Sequence, residues 1–407
     1  MTPGSVLLFV HPPFYKQGDK VFFDTQAQNG LRLWADNFEA VRIMAPLVDA
    51  PPEGPPSDTT DLQPFLDKHP TVEPVMLPRR GTLRFMKDLG PGKKVIRAQI
   101  EASQYLVFGF SGYIGDWGTV ACRMALRMGR PYAIFKDGVA HRVARVSQQK
   151  EQRSLLRRLR NGLENTLMKY SDRHVVRGAK LALLHGQDTM EYYGPFASDP
   201  RLVHDIHISK ADRIPQADLD RRLAERDPGR LQVAYAGRVE EIKGPGHWIS
   251  ALRNALRDGV QITAKWYGTG TLYDEHKAQV AEQGLEEAIR FMGFVAHKQM
   301  LSEIRQADVF VFTHMTEESP RCLIEALSAG LPLVGYDNAF VRDLVGSSQA
   351  GLFVPRGDVD ALTAALKGLA NDPEQLKAMA LDARRVAEPL NDEDVFLHRS
   401  DIIKNAL

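Results

Sequence analysis

Two glutamates, Glu317 and Glu325, stand on either side of a segment that changes from loop to helix. A buried apolar run, Val309–Phe312, precedes the loop, and Ser319 and Pro320 favour the first positions of a helix. At ~1.5 Å per residue, Glu325 would lie about 9 Å along that helix. Because a helix amino terminus attracts phosphate, the spacing suits a ligand with a central phosphate and hydroxyls at both ends, such as a nucleotide sugar.

The same residues have a plainer interpretation. Glu317 and Glu318 could only complement the positive end of the helix, and Glu325 could be solvated. Glu325 has apolar residues on both sides in the sequence, so it needs hydrogen-bond partners if it is buried. The spacing alone leaves the ligand clamp and the helix-end interpretation open.

Cations and glycines follow two further apolar runs. Gly237 and Arg238 come directly after a predicted strand, with Lys243 shortly downstream. An arginine and a lysine at the carboxyl end of a parallel strand would suit a diphosphate, although both could be ordinary surface cations. Gly268 and Gly270 follow the next strand, where they either let the backbone approach a ligand or form a tight turn.

Length and composition bound the class of protein. The chain has 407 residues, 43% of them apolar, and a formal charge of +1, which indicates about two ordinary globular domains and gives no argument for a nucleic-acid partner. Its two cysteines, Cys122 and Cys322, lack metal-ligand spacing and fit a reducing compartment. The apolar run after Ser5 is too short for a signal peptide, and no run of about 18 apolar residues occurs.

Short apolar runs alternate with helical patterns along most of the chain. This pattern predicts α/β architecture with two doubly wound parallel sheets, joined within Asp199–Asp227. The predicted strands are Val6–Val10, Val41–Met44, Tyr105–Phe108, Tyr132–Phe135 and Leu181–Leu184, then Val233–Ala236, Ile262–Tyr267, Ile289–Met292, Val309–Phe312, Leu333–Gly335 and Gly351–Val354.

Six ordered blocks carry a resemblance to a known family. AGRVEEIKG, YGTG, RFMGFVAHKQMLSEIRQADVFVF, the two glutamates, LSAGLPLV and GLFVPRGDVDALTAAL, between Val233 and Asp372, resemble family 4 retaining glycosyltransferases of the GT-B fold. The resemblance implies two Rossmann-like domains that face each other across a cleft. It places an acceptor-side domain at 1–205, a nucleotide-sugar domain at 206–388 and a helix that crosses back to the first domain at 389–407.

The resemblance also implies roles for single residues. It places Arg238 and Lys243 at the donor diphosphate, Glu325 at the ribose and Glu317 at the transferred sugar, and it places the backbone of Phe294–Val295 at the base. The further donor-binding residues are Gly237, Gly268, Gly270, Val295, Glu318, Ser319, Pro320, Arg321 and Cys322. The family is usually glycine-rich after the first glutamate, and the departure here leaves the sugar open.

The amino-terminal half is less similar to the family. The usual Gly-Gly loop after the first strand is replaced, with Gly18 or Asn29-Gly30 as candidates to stand in for it. Where the family has a His-Asp pair, this chain has Lys136 and Asp137, with His141 nearby. Asp137 would then face the reacting sugar and Lys136 a phosphate, whereas the alternative is that Asp137 belongs only to a turn.

The expected activity is a retaining, hexosyltransferase-type transfer from a UDP- or GDP-sugar to a saccharide or lipid-linked acceptor in surface polysaccharide or glycolipid synthesis. The leaving phosphate would take the acceptor's proton, and no metal or other cofactor is expected, since Asp358 suits a helix cap better than a metal site. A non-catalytic nucleotide-sugar-binding protein, a GT-B phosphorylase and an epimerase are the alternatives.

A basic segment within 142–180 carries a leucine stripe and few acidic residues. Such a segment could contact an anionic membrane surface, or it could be a solvated face over an ordinary packed stripe. The sequence therefore predicts a cytoplasmic protein with a peripheral site at the inner face of the membrane as one option.

Overall fold

The structure is a computed structural model that describes residues 1–56, 58–78, 82–111, 115–136, 138–139, 155–204, 206, 208–227, 229–316 and 320–407. The predictions for Asp137, His141, Glu317, Glu318 and Ser319 therefore concern positions outside the described residues, and residues 142–154, the part of the basic segment that precedes Leu155, also lie outside them. The chain divides into two compact units. One comprises Met1–Asp205 with Phe396–Leu407, and the other Ile206–Val395.

The first unit is built on one mixed sheet. Its described strands are β1 (Thr2–Phe9), β2 (Phe14–Gln17), β3 (Lys20–Asp24), β4 (Ala40–Asp49), β5 (Thr59–Asp61), β6 (Val72–Leu77), β7 (Ser103–Gly109), β8 (Ala133–Lys136), β9 (Leu181–His185) and β10 (Pro200–Val203). Their order is β10-β9-β8-β7-β1-β4-β2-β3-β5, with β6 also on β4. The pairs β2–β3 and β3–β5 are antiparallel and the other described pairs are parallel.

Helices cover both faces of this sheet, because the central strands are apolar on both sides. In β1, Val6 and Leu8 belong to one core cluster and Leu7 and Phe9 to another. The described helices before residue 205 are Thr25–Ala35, Gln63–Lys68, Thr82–Ala102, Trp117–Arg127, Leu155–Gly178 and Gln187–Tyr193, with a 3₁₀ turn at Gly194–Phe196.

The second unit contains a fully parallel sheet. Its described strands are β11 (Arg230–Ala236), β12 (Gln261–Tyr267), β13 (Ile289–Gly293), β14 (Val309–Phe312), β15 (Leu333–Tyr336) and β16 (Gly351–Val354), in the order β13-β12-β11-β14-β15-β16. The helices are Gln216–Ala224, Pro245–Arg257, Tyr273–Glu282, His297–Ile304, Arg321–Ser328, Ala339–Val345, Val359–Asn371 and Pro373–Val386, with 3₁₀ turns at Lys210–Asp212 and Glu241–Lys243. The sequence-based prediction of two doubly wound α/β domains is confirmed.

The last helix, Asp392–Ala406, belongs to both units. Its buried residues Phe396 and Ile403 lie in the first unit, where Phe396 meets the ring of Trp34 edge-on at 5.3 Å between centroids. Its first turn lies in the second unit, where the Asp392 N–H donates to the carbonyl of Ile208. The amphipathic pattern at the end of the chain therefore forms a helix on which Val395, Phe396, Ile402 and Ile403 are packed, whereas Leu397 is exposed.

The structure corrects the prediction for the segment after β1. Strands β2 and β3 form a hairpin, and Gly18, with φ of 60°, is the first central residue of its two-residue turn. Asn29 and Gly30 lie inside the helix Thr25–Ala35, which Asp24 caps by accepting from the Ala27 N–H at 2.7 Å. The expectation that Asn29-Gly30 forms a loop is therefore wrong.

Candidate functional site

The sheet of the second unit has one point where the chain changes direction. From β11 the chain continues through β12 and β13 on one side, and β14, β15 and β16 then fill the other side. Strands β11 and β14 are neighbours, with Val233 opposite Val309. Ligands of open parallel sheets bind outside the carboxyl ends of the strands at such a switch point. The loops that follow β11 and β14 therefore define the candidate site.

The loop after β11 turns sharply back toward the sheet. It passes through the 3₁₀ turn Glu241–Lys243, and Gly244, with φ of 62°, then starts the helix Pro245–Arg257. A Cβ on Gly244 would lie 2.3 Å from the carbonyl oxygen of Thr313. The glycine is needed both for its left-handed backbone and for this close approach of two loops.

Hydrogen bonds fix the two switch-point loops to each other. The hydroxyl of Thr313 donates to the carbonyls of Lys243 and Gly244, both at 2.9 Å, and the Met315 N–H donates to the Ile242 carbonyl at 2.9 Å. The backbone that carries Lys243 is therefore held against the segment that leads to Glu317.

Gly268 and Gly270 serve the packing of the loops after β11 and β12. A Cβ on Gly268 would lie 2.2 Å from the Gly237 carbonyl oxygen, and one on Gly270 would lie 2.3 Å from that of Val239. The Val239 N–H donates to the Thr269 carbonyl at 3.0 Å. Both glycines thus bring two loops together at the strand ends. From the sequence alone, this packing role could not be told apart from a close approach of the backbone to a ligand.

Cations lie on this edge of the sheet. Arg238 is exposed and Lys243 half-buried on the loop after β11, and the exposed Arg321 is the first residue of the helix Arg321–Ser328. An arginine supplies a planar fork of donors and a lysine a compact charge, so the edge can bind a diphosphate. The predicted cations thus belong to the loop and the helix next to the switch point.

The helix after β14 begins later than the sequence pattern predicted. Pro320 occupies its cap position without a side-chain cap, and Arg321 rather than Pro320 is the first helical residue. The first-turn N–H groups of a helix have no intrahelical acceptor, so this end retains its attraction for anions. Cys322, half-buried in the first turn, belongs to the same end.

His314, directly after β14, is a site residue that the sequence pattern did not single out. Its ring is buried, and the Tyr235 hydroxyl lies 2.7 Å from its Nε2 atom. Burial, and secondarily the positive charge of Lys243, holds the pKa of His314 well below its ordinary value. The histidine is therefore neutral and adds no charge beside Lys243.

Glu325 is buried and paired. Only 9% of the residue is exposed, and its Oε1 atom lies 2.9 Å from Nε2 of His297. The hydrogen bond to Glu325 is the largest cause of a raised pKa at His297, with burial acting in the opposite direction. The requirement that a buried Glu325 have a partner is met, and that partner is a residue that the sequence analysis did not name.

The residues predicted at the base lie between these elements. Phe294 and Val295 follow β13, three and two residues before His297. Phe294 is 83% exposed, whereas Val295 packs against the core of the unit. An exposed aromatic ring at a strand end provides a surface on which a nucleobase could stack.

The first unit has its own switch point, between β1 and β7. His11 follows β1 and Asp116 follows β7, with His11 Nε2 and Asp116 Oδ1 3.7 Å apart. Asp116 is buried and caps the helix Trp117–Arg127, accepting from the N–H and hydroxyl of Thr119. A histidine, His11, therefore lies beside Asp116 at this edge, whereas the residues predicted for the first unit's site, Lys136, Asp137 and His141, come at or after the end of β8.

Lys136, at the end of β8, differs from its predicted role at a phosphate. The residue is only 2% exposed, and its Nζ atom donates to the Phe110 carbonyl at 2.8 Å and lies 4.3 Å from the centre of the Phe110 ring. A lysine held in this way stabilises the interior of the first unit, so we assign it no phosphate contact.

Asp358 has the structural role that the sequence predicted. Its Oδ1 atom accepts from the Ala361 N–H at 2.8 Å and caps the helix Val359–Asn371.

Within the described ranges there is no cluster of three or more His, Cys, Asp or Glu residues that could hold a metal ion. None of the described helices is long and apolar enough to cross a membrane.

Comparisons with known proteins agree with this arrangement. Residues 217–386, which contain the switch-point loops and Glu325, match the family described as "Glycosyl transferases group 1". The family resemblance predicted from the six sequence blocks is confirmed.

Two curated relatives illustrate the extent of the similarity. Alpha-D-kanosaminyltransferase of Streptomyces kanamyceticus is 26% identical over 225 residues, which are 53% of this chain and 58% of that protein. The amylovoran biosynthesis glycosyltransferase AmsK of Erwinia amylovora is 28% identical over 164 residues, which are 39% of this chain and 40% of that protein. The chain thus spans between two fifths and three fifths of the lengths of these relatives.

Among solved structures, Anabaena Alr3699/HepE in complex with UDP has a TM-score of 0.67 at 15% identity, covering 99% of this chain and 100% of that one. At this identity the likeness concerns the fold, which is GT-B.

Proposed function

We propose that this protein is a retaining glycosyltransferase that moves a sugar from a nucleotide-diphosphate donor to a saccharide or lipid-linked acceptor. The observation that carries the proposal is the carboxyl-end edge of the second unit, where Arg238, Lys243 and the start of the helix Arg321–Ser328 accompany the buried carboxylate of Glu325. Group 1 glycosyltransferase similarity over residues 217–386 supports it independently.

In this proposal each part of the donor has a matching group. The cations Arg238 and Lys243 bind the diphosphate, and Glu325 accepts hydrogen bonds from the ribose hydroxyls through the oxygen that His297 leaves open. Phe294 offers an aromatic surface to the base. Glu317 remains the predicted group for the transferred sugar. UDP- and GDP-sugars are the proposed donors; Alr3699/HepE was solved with UDP.

The chemistry proposed for these groups is stabilisation of a leaving diphosphate. As the bond between the sugar's anomeric carbon and the phosphate oxygen breaks, negative charge grows on the diphosphate, and the cations and the helix end stabilise it without a metal. The phosphate oxygen takes the proton of the acceptor hydroxyl, whose oxygen forms the new glycosidic bond on the same face. The products are the glycosylated acceptor and the nucleoside diphosphate.

The acceptor and the setting are proposed from the names of relatives and from the basic segment of the chain. Relatives include a protein named for amylovoran biosynthesis and one named putative colanic acid biosynthesis glycosyltransferase WcaL. A role in surface polysaccharide or glycolipid synthesis fits these names. The corresponding setting is the cytoplasm, with peripheral contact to an anionic membrane through the basic segment 142–180.

The test begins with thermal stabilisation of the full chain by UDP, GDP, UDP-glucose and GDP-mannose, because a bound ligand raises stability by mass action. The proposal predicts that one base series raises the melting temperature, that the effect survives EDTA, and that the corresponding nucleotide sugar releases nucleoside diphosphate when acceptors are added. Binding without release over a broad acceptor panel would identify a non-catalytic nucleotide-sugar-binding protein. Phosphate-dependent release or an isomerised donor would identify a phosphorylase or an epimerase.

A further inference from the structure

The carboxylate of Glu325 is not free to meet a ligand with both oxygens. Its Oε1 atom lies 2.9 Å from Nε2 of His297, and the glutamate is nearly buried in the second unit. An ionised carboxylate can accept hydrogen bonds at both oxygens. The oxygen Oε2 is therefore the atom with which Glu325 can reach a ligand while it keeps its bond to His297.

His297 is well placed to respond to the solution. It is the first residue of the helix His297–Ile304, and 37% of its side chain is exposed, against 11% for Glu325. A helix amino terminus disfavours a positive charge. The pKa of His297 is nevertheless raised, and the hydrogen bond to Glu325 is the largest cause, ahead of the opposing effect of burial.

Three charged groups among the described residues act on this ring. Glu325 and Arg321 lie on the helix Arg321–Ser328, and Asp212 lies on the 3₁₀ turn Lys210–Asp212. Glu325 and Asp212 favour protonation of His297, whereas Arg321 opposes it. The two acidic groups prevail, and Glu325, which makes the direct hydrogen bond, has the larger effect.

We propose that His297 is a positioning residue that holds Glu325 by one oxygen and, through its own protonation, controls how strongly the other oxygen accepts hydrogen bonds from the donor's ribose. When His297 is charged, the imidazolium neutralises the carboxylate and weakens it as an acceptor. When His297 is neutral and carries its proton on Nε2, it still donates a hydrogen bond to Glu325. The carboxylate then keeps its full negative charge and accepts stronger hydrogen bonds from the ribose hydroxyls. The proposal rests on the donor-binding role of Glu325 in the proposed function.

The consequence is a donor affinity that rises with pH. Hydrogen bonds to charged acceptors are stronger than neutral ones by an amount that corresponds to roughly three- to tenfold in affinity. The dissociation constant of a nucleotide sugar should fall by this factor as pH rises through the raised pKa of His297. Conversely, donor binding should lower that pKa, because the two effects are linked.

The first measurement needs no donor. In the full chain labelled with ¹³C-histidine, NMR titration should show a pKa of His297 above 6.5, its ordinary value. The variant Glu325→Gln should return that pKa toward the ordinary value, and Glu282→Gln, which removes an exposed charge of the same unit, should not. An ordinary pKa in the wild-type protein, or no change in Glu325→Gln, overturns the pairing.

The second measurement is calorimetric titration with UDP-glucose and GDP-mannose from pH 6 to pH 9. Both phosphates of these probes are esterified, so they lack the terminal phosphate that titrates near pH ~6. His297→Gln keeps an amide donor for Glu325 but does not titrate, and it should bind as the wild type does at high pH with a flat profile. His297→Phe should bind more weakly throughout, and the exposed His398→Gln should follow the wild type.

Failures of the two proposals are distinguishable. If neither probe binds the wild type at any pH, the donor-binding function is overturned whatever NMR shows for His297. If a probe binds and His297→Gln keeps the wild-type pH dependence, or His297→Phe binds as tightly as the wild type, the donor site stands and the role of His297 is overturned.

Discussion

Replacing Glu325 with glutamine preserves the size of the side chain and removes its charge. Glu325→Gln should leave the fold nearly intact, since the amide oxygen can still accept from His297. The ribose hydroxyls, however, would then meet a neutral amide in place of a carboxylate. The substitution therefore isolates the acceptor strength of this one position.

The magnitude follows from the number of bonds involved. A hydrogen bond to a charged group contributes about 1.5–3 kcal/mol and a neutral one about 0.5–1.5 kcal/mol, so each ribose bond loses about 1 kcal/mol. Two ribose hydroxyls give about 2 kcal/mol, or roughly 30-fold weaker binding of UDP. A ligand that carries only one of the two hydroxyls should lose about 1 kcal/mol, half of this amount.

The assay compares UDP with 2′-deoxy-UDP by calorimetry at fixed pH. The wild-type chain should prefer UDP about tenfold, from roughly one charged hydrogen bond, and Glu325→Gln should reduce the preference to about threefold or less. Glu282→Gln, an exposed glutamate at the end of the helix Tyr273–Glu282, is the matched control. If Glu325→Gln keeps the full preference and affinity, Glu325 does not bind the ribose and the reasoning fails.

Three further predictions concern the loops and the pH response. Lys243→Ala should lower transfer at least tenfold while melting as the wild type does, with the exposed Lys377→Ala unaffected; full activity would remove Lys243 from the diphosphate site. In urea unfolding, Gly244→Ala should lose about 1–3 kcal/mol more stability than the control Gly259→Ala. Both glycines have positive φ, but only at Gly244 would the added Cβ lie 2.3 Å from a backbone oxygen. Equal losses would refute the close packing. Because the pKa of His297 is raised in the folded state, protonated His297 should contribute its full stabilisation below pH 6.5, the ordinary value. The difference in free energy of unfolding between the wild type and His297→Gln, measured in urea, should therefore shrink as pH rises through the folded-state pKa. A difference that stays constant with pH would contradict this.

The sequence was sufficient for the parallel core strands of both units. The runs Leu181–Leu184 in β9, Val309–Phe312 in β14 and Leu333–Gly335 in β15 are apolar at successive positions, as strands covered on both faces must be, and they are buried in the structure. The cap at Asp358 was also predictable, since it depends on residues three apart in the chain. Local signals of this kind do not depend on the rest of the fold.

The segment after β1 shows where local interpretation failed. Comparison with a glycine-rich loop drew attention to Asn29-Gly30, but Asp24 is a helix cap, and Gln28, Leu31 and Leu33 are buried along the helix that follows. The capping signal was present in the sequence. The family's Gly-Gly loop is missing from this chain, and the prediction placed a substitute for that loop at Asn29-Gly30 in spite of the capping signal at Asp24.

The partners of the site could not be predicted from the sequence alone. His297 and Glu325 are 28 residues apart, and their contact depends on the packing of the helices after β13 and β14. The same holds for His11 and Asp116, which come together only because β1 and β7 are adjacent. The sequence indicates that Glu325 needs a hydrogen-bond partner if it is buried. It does not indicate that the partner is His297, because this contact depends on the fold.

The central claim is that the switch-point edge of the second unit binds a nucleotide-diphosphate donor. Calorimetric titration of the wild-type chain and of Lys243→Ala with UDP-glucose and GDP-mannose tests it most directly. We expect one of the two nucleotide sugars to bind the wild type and the same one to bind Lys243→Ala at least tenfold more weakly. Absence of binding to the wild type, or equal affinity in both proteins, would contradict the assignment.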